Sequence, residues 1–280
     1  MDLAVLATVA RDAVREAADY VRRRLHEPIE AMRKSERGDL VTEVDRTVER
    51  MIVERVLRAF PDHGILGEEG VFTRAEAPSP DVPLWVIDPI DGTTNFVHQR
   101  INFVLSLAVY QGGEGLVGIV YDPLRDEWFE ARRGEGATLN GRPIRVRPNA
   151  DRLEEALVVT SLFWSRYAER FGLTDKIREL GRRVRGMRLY GAAALELAYV
   201  ACGRLDGYFS PSLSPWDFAA GALLVKEAGG MVTTVDGKPL SLEGRTTVLA
   251  GAPAIYRALR GYLEPSLADK GGERNARQDS

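Results

Sequence analysis

The chain has 280 residues, of which 45% are hydrophobic and 28% are charged, as is ordinary for a globular protein of one large or two small domains. Its 38 basic and 41 acidic residues leave a formal net charge of −3, so the basic excess of a dedicated nucleic-acid binder is missing. The single cysteine, Cys202, excludes an internal disulfide and a thiolate zinc site, and we expect a cytoplasmic protein.

The first half of the chain is predicted to combine two helices with several short strands. Apolar residues at helical spacing predict an amphipathic helix over 3–25, with Asp2 as its N-cap and too many charges for a membrane span. Thr42 with Asp45 three residues later predicts the start of a second helix, which ends near residue 60. Short apolar runs predict strands at 64–67, 84–87, 104–110, 115–121 and 127–131.

From about residue 149 the pattern alternates between strand and helix. Strands are predicted at 156–160 and 247–250, and helices at 164–180, late in 189–201, at 219–228 and at 254–263. The mixture predicts an α+β or layered α/β protein. We expect one domain over 1–265, with an α+β part to about 148 and an α/β part from 149, followed by a disordered polar tail at 266–280.

The acidic residues Asp88 and Asp91 follow an apolar run directly and precede Gly92. Two carboxylates at a strand end repel each other unless a cation lies between them, and oxygen ligands favour Mg²⁺ or Mn²⁺. Thr93 and the polar residues after it could begin a helix whose N–H groups bind an anion. A phosphate held between metal ions and this helix start is the simplest ligand.

Three further acidic clusters accompany this one, at Glu68–Glu69, at Asp217 and at Asp39 with Asp45. Any one of the four is more typical of a turn, a helix cap or a solvated loop. The hypothesis of a metal and phosphate site therefore depends on their occurring together in this order.

Several motifs resemble those of the inositol monophosphatase family, a superfamily of Mg²⁺-dependent, lithium-sensitive phosphatases. Residues 88–96 (DPIDGTTNF) resemble its first signature, and 216–221 (WDFAAG) with 227–230 (EAGG) resemble its second. Residues 67–69 (GEE) and 34–45 (KSERGDLVTEVD) match two further family motifs, and the similarity spans about 3–263. The resemblance implies a five-layer αβαβα sandwich, two to three Mg²⁺ ions per site, inhibition by lithium and often a homodimer.

The resemblance also implies a role for individual residues of the site. Glu68, Asp88 and the Ile90 carbonyl would hold a first Mg²⁺. A second would be held by Asp88, Asp91 and Asp217, and a third, weaker one by Glu68 with water. Glu68 and Thr93 would position and deprotonate the attacking water, with Asp45 behind Thr93.

The same resemblance divides the substrate site into a phosphate half and an alcohol half. The N–H groups of Gly92 and Thr93 would hold the phosphate, while Asp91, Ala193 and Asp217 would contact the substrate. Ser210 occupies the position at which animal inositol phosphatases carry a ring-binding glutamate, so the alcohol half departs from the pattern.

The expected activity is hydrolysis of myo-inositol monophosphate or a related polyol phosphate. Fructose-1,6-bisphosphatase, histidinol-phosphatase or another sugar phosphatase of the superfamily is the alternative among enzymes. A different class is a regulatory relative associated with RNA polymerase. All the predicted side-chain ligands of the metals are intact, and a pure scaffold would not need them.

Overall fold

The computed structural model describes residues 2–33, 40–72, 80–148, 151–161 and 174–268. The helices found among them are α1 (Leu3–Arg24), α2 (Glu43–Ala59), α3 (Thr93–His98), α4 (Thr174–Arg183), α5 (Ala193–Ala201), α6 (Pro215–Glu227) and α7 (Pro253–Ala268). A single turn of 3₁₀ helix covers Leu153–Glu155. Of the helices in these ranges, none combines the length and apolar character needed to cross a membrane.

The strands of the described residues form three sheets. They are β1 (Ala31–Arg33), β2 (Leu40–Thr42), β3 (Gly64–Gly67), β4 (Leu84–Asp91), β5 (Val104–Gln111), β6 (Glu114–Asp122), β7 (Glu127–Arg132), β8 (Gly136–Leu139), β9 (Arg142–Ile144), β10 (Leu157–Thr160), β11 (Gly186–Arg188), β12 (Gly207–Leu213), β13 (Met231–Thr233) and β14 (Thr246–Gly251). The largest sheet runs β3 to β9 in chain order, and β3 and β4 are its parallel pair. A five-stranded sheet has the order β11-β10-β12-β14-β13, and β1 pairs with β2.

These elements stack in five layers of alternating helix and sheet. Helices α1 and α2 cover one face of the seven-stranded sheet, and α5 and α6 lie between the two large sheets. Helix α7 packs on the far face of the five-stranded sheet, and α4 is joined to it where the Tyr262 hydroxyl donates to the Lys176 carbonyl. This is the predicted αβαβα sandwich.

Strand β4 is buried along its whole length because helices cover both faces of its sheet. Trp85 and Ile87 point into the core formed with α1 and α2, while Leu84 and Val86 point into the core shared with α5 and α6. A strand covered on both faces shows a continuous apolar run instead of an alternating one. The run at 84–87 therefore predicted a buried strand correctly.

The predicted starts of α1 and α2 are confirmed by their capping contacts. The Ala4 N–H donates to Asp2 Oδ1 at 2.8 Å. At α2, the N–H of Thr42 donates to Asp45 Oδ2 at 2.9 Å, while the Thr42 hydroxyl accepts from the N–H of Asp45 at 3.4 Å. This reciprocal capping box fixes Asp45 in the first turn of the helix.

The last helix is longer than predicted. It was expected to end at 263, whereas α7 continues to Ala268 and so includes the first three residues of the tail predicted at 266–280. The domain boundaries themselves stay predictions. The rest of the predicted tail, the motif residues 34–39 with Asp39, and the first part of the helix predicted at 164–180 lie outside the described residues.

Glycine at position 221 is required where α6 meets α5. A Cβ atom at Gly221 would lie 2.5 Å from Leu197 Cβ. We expect Gly221→Ala to lower the free energy of unfolding by about 1–3 kcal/mol, because a well-packed core has no room for the methyl group. A methyl group at Gly261, in α7, would have no neighbouring atom within 4 Å, so Gly261→Ala should instead stabilise the protein by about 0.5–1 kcal/mol. Urea unfolding of both variants measures the contrast, and equal effects would contradict it.

Candidate active site

Two acidic residues meet at the edge of the large sheet where parallel strands β3 and β4 end. Gly67 pairs with Ile87, and the N–H of Glu68 donates to the Ile87 carbonyl at 3.1 Å. Carboxyl ends of parallel strands lie at the same edge of a sheet, so Glu68 comes next to Asp88. Their side chains are close enough for a hydrogen bond to connect them.

A bulge in β4 brings Asp91 to the same side as Asp88. Asp88 pairs with Ser106 and Asp91 with Val104, so β4 carries one residue more than its partner across this step. Without the extra residue, side chains three positions apart would point to opposite faces of the sheet. Pro89 lies within the bulge, where its missing N–H costs no hydrogen bond of the ladder.

Backbone N–H groups from the second half of the chain hold the other carboxylates. The N–H groups of Ala193 and Ala194, at the start of α5, donate to the two oxygens of Asp91 at 3.1 and 2.6 Å. The N–H of Ser214 donates to Asp217 Oδ2 at 2.8 Å, in the first turn of α6. Both acids therefore lie at helix starts, where the helix dipole favours negative charge.

The turn after Asp91 needs glycine and carries a hydroxyl–carboxylate pair. Gly92 has a φ angle of +91°, and a Cβ atom there would lie 3.0 Å from the Asn102 carbonyl oxygen. The Thr93 hydroxyl lies 3.1 Å from both Asp45 Oδ1 and the Ile90 carbonyl oxygen. Since a hydroxyl has one proton, it can donate to one of these oxygens at a time.

These groups line one cavity of about 180 Å³. Its described lining residues are Leu40, Glu68, Asp88, Ile90, Asp91, Gly92, Thr93, Thr94, Gly191 and Asp217. Lysine, arginine and histidine are all missing from this described lining. The acidic clusters described in the sequence analysis thus converge on this cavity. Asp45 is connected to it through its hydrogen bond with Thr93, and Asp39 lies outside the described residues.

The buried carboxylates are strained electrostatically. Burial, followed by repulsion from Glu68, Asp91 and Asp217, raises the pKa of Asp88 well above its usual range. Burial and the charge of Asp217 likewise raise the pKa of Asp91, although the N–H groups of α5 oppose the shift. Burial also raises the pKa of Asp45, against the hydrogen bonds that it accepts from Thr42 and Thr93.

The donor set suits a hard cation. Among the described residues, no three acidic, histidine or cysteine side chains are already close enough to hold one metal ion between them. The donors that line the cavity are nevertheless carboxylates and a backbone carbonyl, which are the ligands that Mg²⁺ and Mn²⁺ take. A cation would also relieve the repulsion that raises the pKa of Asp88 and Asp91.

Two buried glutamates that support the site were missed by the sequence analysis. Glu49 of α2 accepts from the N–H groups of Glu69 and Val71 at 2.8 Å each, and so holds the loop that carries Glu68. Glu196 of α5 accepts from the N–H groups of Tyr190 and Gly191 beside the cavity. The available signal was an acidic residue on an otherwise apolar helix face, as Glu49 is between Val48 and Ile52.

Two predicted substrate contacts have other partners in the structure. The N–H of Ala193 donates to Asp91. Ser210 is 3% exposed on β12, where its side chain hydrogen-bonds the Tyr208 hydroxyl, and it is not among the described residues that line the cavity. The contacts of both residues with a substrate stay predictions.

Carboxylates gathered at a sheet edge, beside a glycine turn, are the arrangement expected of a metal-dependent phosphatase in a layered α/β protein. The sequence profile of the inositol monophosphatase family matches residues 2–267, and the chain belongs to this family. Members of the family are phosphatases that generally depend on metal ions.

Individual relatives of the chain carry three different names. An inositol-1-monophosphatase of Bacillus subtilis is 40% identical over 252 residues, which are 90% of this chain and 93% of the relative. Nus factor SuhB of Pseudomonas aeruginosa is 40% identical over 265 residues, 94% of this chain and 97% of the relative. A fructose-1,6-bisphosphatase/inositol-1-monophosphatase of Thermotoga maritima is 45% identical over 201 residues, 71% of this chain and 73% of the relative.

A solved structure confirms the fold. The crystal structure of SaIMPase-II bound to inositol monophosphate is similar with a TM-score of 0.82 and 30% sequence identity, over 98% of this chain and 99% of that chain.

The stability of the protein should depend on pH through Glu196. Burial raises the pKa of Glu196 from 4.5 to about 7, so the folded state holds a proton that the unfolded state has already lost. The free energy of unfolding therefore falls as the pH rises from about 4.5 to about 7. Glu196→Gln keeps an oxygen that can accept from both N–H groups but cannot ionise.

We expect the stability of Glu196→Gln relative to the wild type to rise by about 3 kcal/mol between pH 4.5 and pH 8. Urea unfolding at a series of pH values measures this difference, in which other titrating groups largely cancel. A difference that stays constant with pH would contradict the assignment.

Proposed function

We propose that the protein is a Mg²⁺-dependent phosphomonoesterase that hydrolyses myo-inositol monophosphate or a related polyol phosphate. The observation that carries this proposal is the convergence of Glu68, Asp88, Asp91 and Asp217 on one cavity beside Gly92 and Thr93. The family membership and the similarity to an inositol-1-monophosphatase support the same activity.

The metal ligands of this proposal fall into two overlapping sets. Glu68, Asp88 and the Ile90 carbonyl would hold one Mg²⁺, and Asp88, Asp91 and Asp217 would hold a second, with a third, weaker ion on Glu68. Mn²⁺ could replace Mg²⁺ on such oxygen donors. When bound, these cations supply positive charge that attracts the phosphate, makes water a better nucleophile and stabilises the oxygen of the leaving alcohol.

The side chains around Thr93 would orient and deprotonate the attacking water. When the Thr93 hydroxyl donates to Asp45 Oδ1, at 3.1 Å, its lone pairs are left to accept a hydrogen bond from the water and so orient it. Glu68, at the neighbouring strand end, is the carboxylate that would accept the proton as the water oxygen attacks phosphorus. The ester P–O bond then breaks, the alcohol oxygen leaves with the electron pair, and a proton returned to that oxygen completes the alcohol.

The phosphate would be held by backbone N–H groups at the glycine turn. Gly92 and Thr93 both line the cavity, and the absence of a side chain at Gly92 lets an oxygen approach the main chain closely. Neutral N–H donors bind the phosphate oxygens without competing with Mg²⁺ for the carboxylates.

The identity of the alcohol is the open half of the proposal. Ser210 is buried, and a neutral hydroxyl cannot replace the charge of a ring-binding glutamate. Fructose-1,6-bisphosphatase activity is the leading alternative, since the relative from Thermotoga maritima carries both activities in its name. The similarity to Nus factor SuhB supports a regulatory role as the alternative outside catalysis.

Asp88→Asn tests the catalytic proposal because it removes a charge shared by both metal sets. We expect phosphate release from inositol 1-phosphate to fall by at least about 10²-fold, and Mg²⁺ binding measured by calorimetry to weaken with it. In the presence of a chelator the same variant should unfold at a higher temperature than the wild type, because the buried repulsion is relieved.

Asp175→Asn, at the exposed start of α4, is the matched control and should change none of these quantities. A panel of inositol 1-phosphate, fructose 1,6-bisphosphate and histidinol phosphate, each with and without Li⁺, identifies the substrate class. Full turnover by Asp88→Asn would refute the metal assignment, and no turnover of any ester by the wild type would favour the regulatory alternative.

We also propose that the protein forms a homodimer through a surface beside the cavity. Three large apolar residues are 41–46% exposed there: Ile101, Leu124 and Leu189. Hydrogen bonds join the loops that carry them, since Asn95 donates to the carbonyls of Asn102 and Tyr190, and Arg125 donates to Asn102 Oδ1. Exposed apolar residues on adjoining loops favour a protein interface.

Leu124→Glu tests the dimer, because a charge in an apolar interface has to be desolvated when the two copies associate. Light scattering should then report the mass of a monomer for the variant and of a dimer for the wild type. Val5→Glu introduces the same charge at an apolar residue of α1 that is 49% exposed, and should leave the mass unchanged. A dimeric Leu124→Glu protein would exclude this surface.

A further inference from the structure

Arg245 lies at the end of the five-stranded sheet that is next to the cavity. Strands β12 and β14 are antiparallel, and Leu213, the last residue of β12, pairs with Thr246, the first residue of β14. The residue before Thr246 therefore lies beside the segment that connects β12 to α6. This segment leads directly to Asp217, which lines the cavity.

The guanidinium group of Arg245 makes three hydrogen bonds to this segment. Its Nε donates to Ser212 Oγ at 2.9 Å, one terminal nitrogen donates to the Ser212 carbonyl at 2.9 Å, and the other donates to Ser214 Oγ at 2.8 Å. A guanidinium group has five N–H donors, so two remain for a ligand. The three hydrogen bonds fix the orientation of the planar group, although Arg245 as a whole is exposed.

The charge of Arg245 is not neutralised by these contacts, because all three acceptors are neutral oxygens. Arg245 takes part in none of the ion pairs found among the described residues. The N–H of Ser214 donates to Asp217 Oδ2, so the guanidinium group is two hydrogen bonds away from a carboxylate of the cavity.

The residue at the position that the family resemblance links to the alcohol is buried. Ser210 is 3% exposed and hydrogen-bonds Tyr208, so little of its surface is open to a ligand. The pairing of β12 with β14 shifts between Ser210 and Leu213, and Arg245 binds the half-buried Ser212 within this irregularity and the buried Ser214 after it. Arg245 therefore brings a positive charge within two hydrogen bonds of Asp217 on this side of the site.

We propose that Arg245 is a specificity-determining residue that favours phosphate esters whose alcohol part carries a second anionic group. A sugar bisphosphate belongs to this class, and a neutral polyol monophosphate does not. The inference rests on the proposed phosphomonoesterase activity and names the substrate class of the same site. The two remaining N–H donors, one on each terminal nitrogen, can donate to oxygens of a phosphate or a carboxylate.

Arg245→Gln tests this proposal in the full-length, Mg²⁺-loaded protein. We expect kcat/KM for fructose 1,6-bisphosphate to fall about tenfold or more, and by a much smaller factor for inositol 1-phosphate. In the wild type, the ratio of kcat/KM for the bisphosphate to kcat/KM for inositol 1-phosphate should fall as ionic strength rises, and in the variant this ratio should depend less on salt. Arg245→Lys keeps the charge without the planar guanidinium group, so its ratio should lie between those of the wild type and Arg245→Gln.

Two controls separate this role from a structural one. Ser212→Ala removes one partner of Arg245 but leaves its charge, so most of the preference should persist. Arg178→Gln removes an exposed arginine that pairs with Asp175 on α4, and should leave the ratio of the two kcat/KM values unchanged. Thermal unfolding checks that each variant is folded.

An equal loss of kcat/KM with both esters would overturn the proposal, because it would make Arg245 a positioning residue that acts on Asp217 through Ser214. An unchanged ratio in Arg245→Gln would overturn it as well. These outcomes are distinct from failure of the proposed function, in which the wild type would hydrolyse neither ester.

Discussion

Mutual repulsion between buried carboxylates is the constraint on which the rest of this structure depends. Asp88 and Asp91 are 2% and 7% exposed, and each lies within the field of further acids. Burying like charges together costs free energy, so the surrounding fold must hold them in a geometry that they would not adopt alone. Neutral backbone N–H groups hold two of the acids: those at the start of α5 donate to Asp91, and that of Ser214 donates to Asp217. The bulge in β4 turns Asp91 toward Asp88.

The site exists only because the two halves of the chain pack closely. Strand β4 belongs to the seven-stranded sheet, whereas α5 and α6 come from the second half and lie between the sheets. A Cβ atom at Gly118 of β6 would lie 3.0 Å from the Ala220 carbonyl oxygen, so α6 approaches the sheet at the distance that a glycine permits. On its other side, Gly221 contacts Leu197 of α5. The small residues after Asp217 therefore allow close packing, and close packing brings Asp217 to the carboxylates of β4.

Local signals in the sequence predicted the parts of the site that local chemistry determines. The apolar run that ends at Asp88 and the capping pair of Thr42 with Asp45 are properties of short segments, and both were found where expected. The contacts of Glu49 and Arg245 depend on where another segment lies: a loop 20 residues away for Glu49 and a neighbouring strand end for Arg245. Hydrophobic periodicity alone predicts that a charged residue on a helix or before a strand is solvated. It cannot show that Glu49 accepts from buried backbone N–H groups or that Arg245 donates to serines, because these partners lie in other segments. The helix predicted at 164–180 is confirmed from Thr174 onward, where the described residues begin, and it continues to Arg183.

The absence of basic side chains from the described cavity lining supports the proposal that this site would bind a phosphate with the help of a cation. An arginine or lysine among these carboxylates would form ion pairs with them, lower their pKa values and compete with a metal ion for the same oxygens. Backbone N–H groups orient the acids but carry no net charge, so most of the repulsion remains to be relieved by a divalent ion. Arg245 is consistent with this arrangement because serines separate it from Asp217. In the proposed mechanism, its charge would act on a substituent of the substrate without neutralising the carboxylates that would hold the metal.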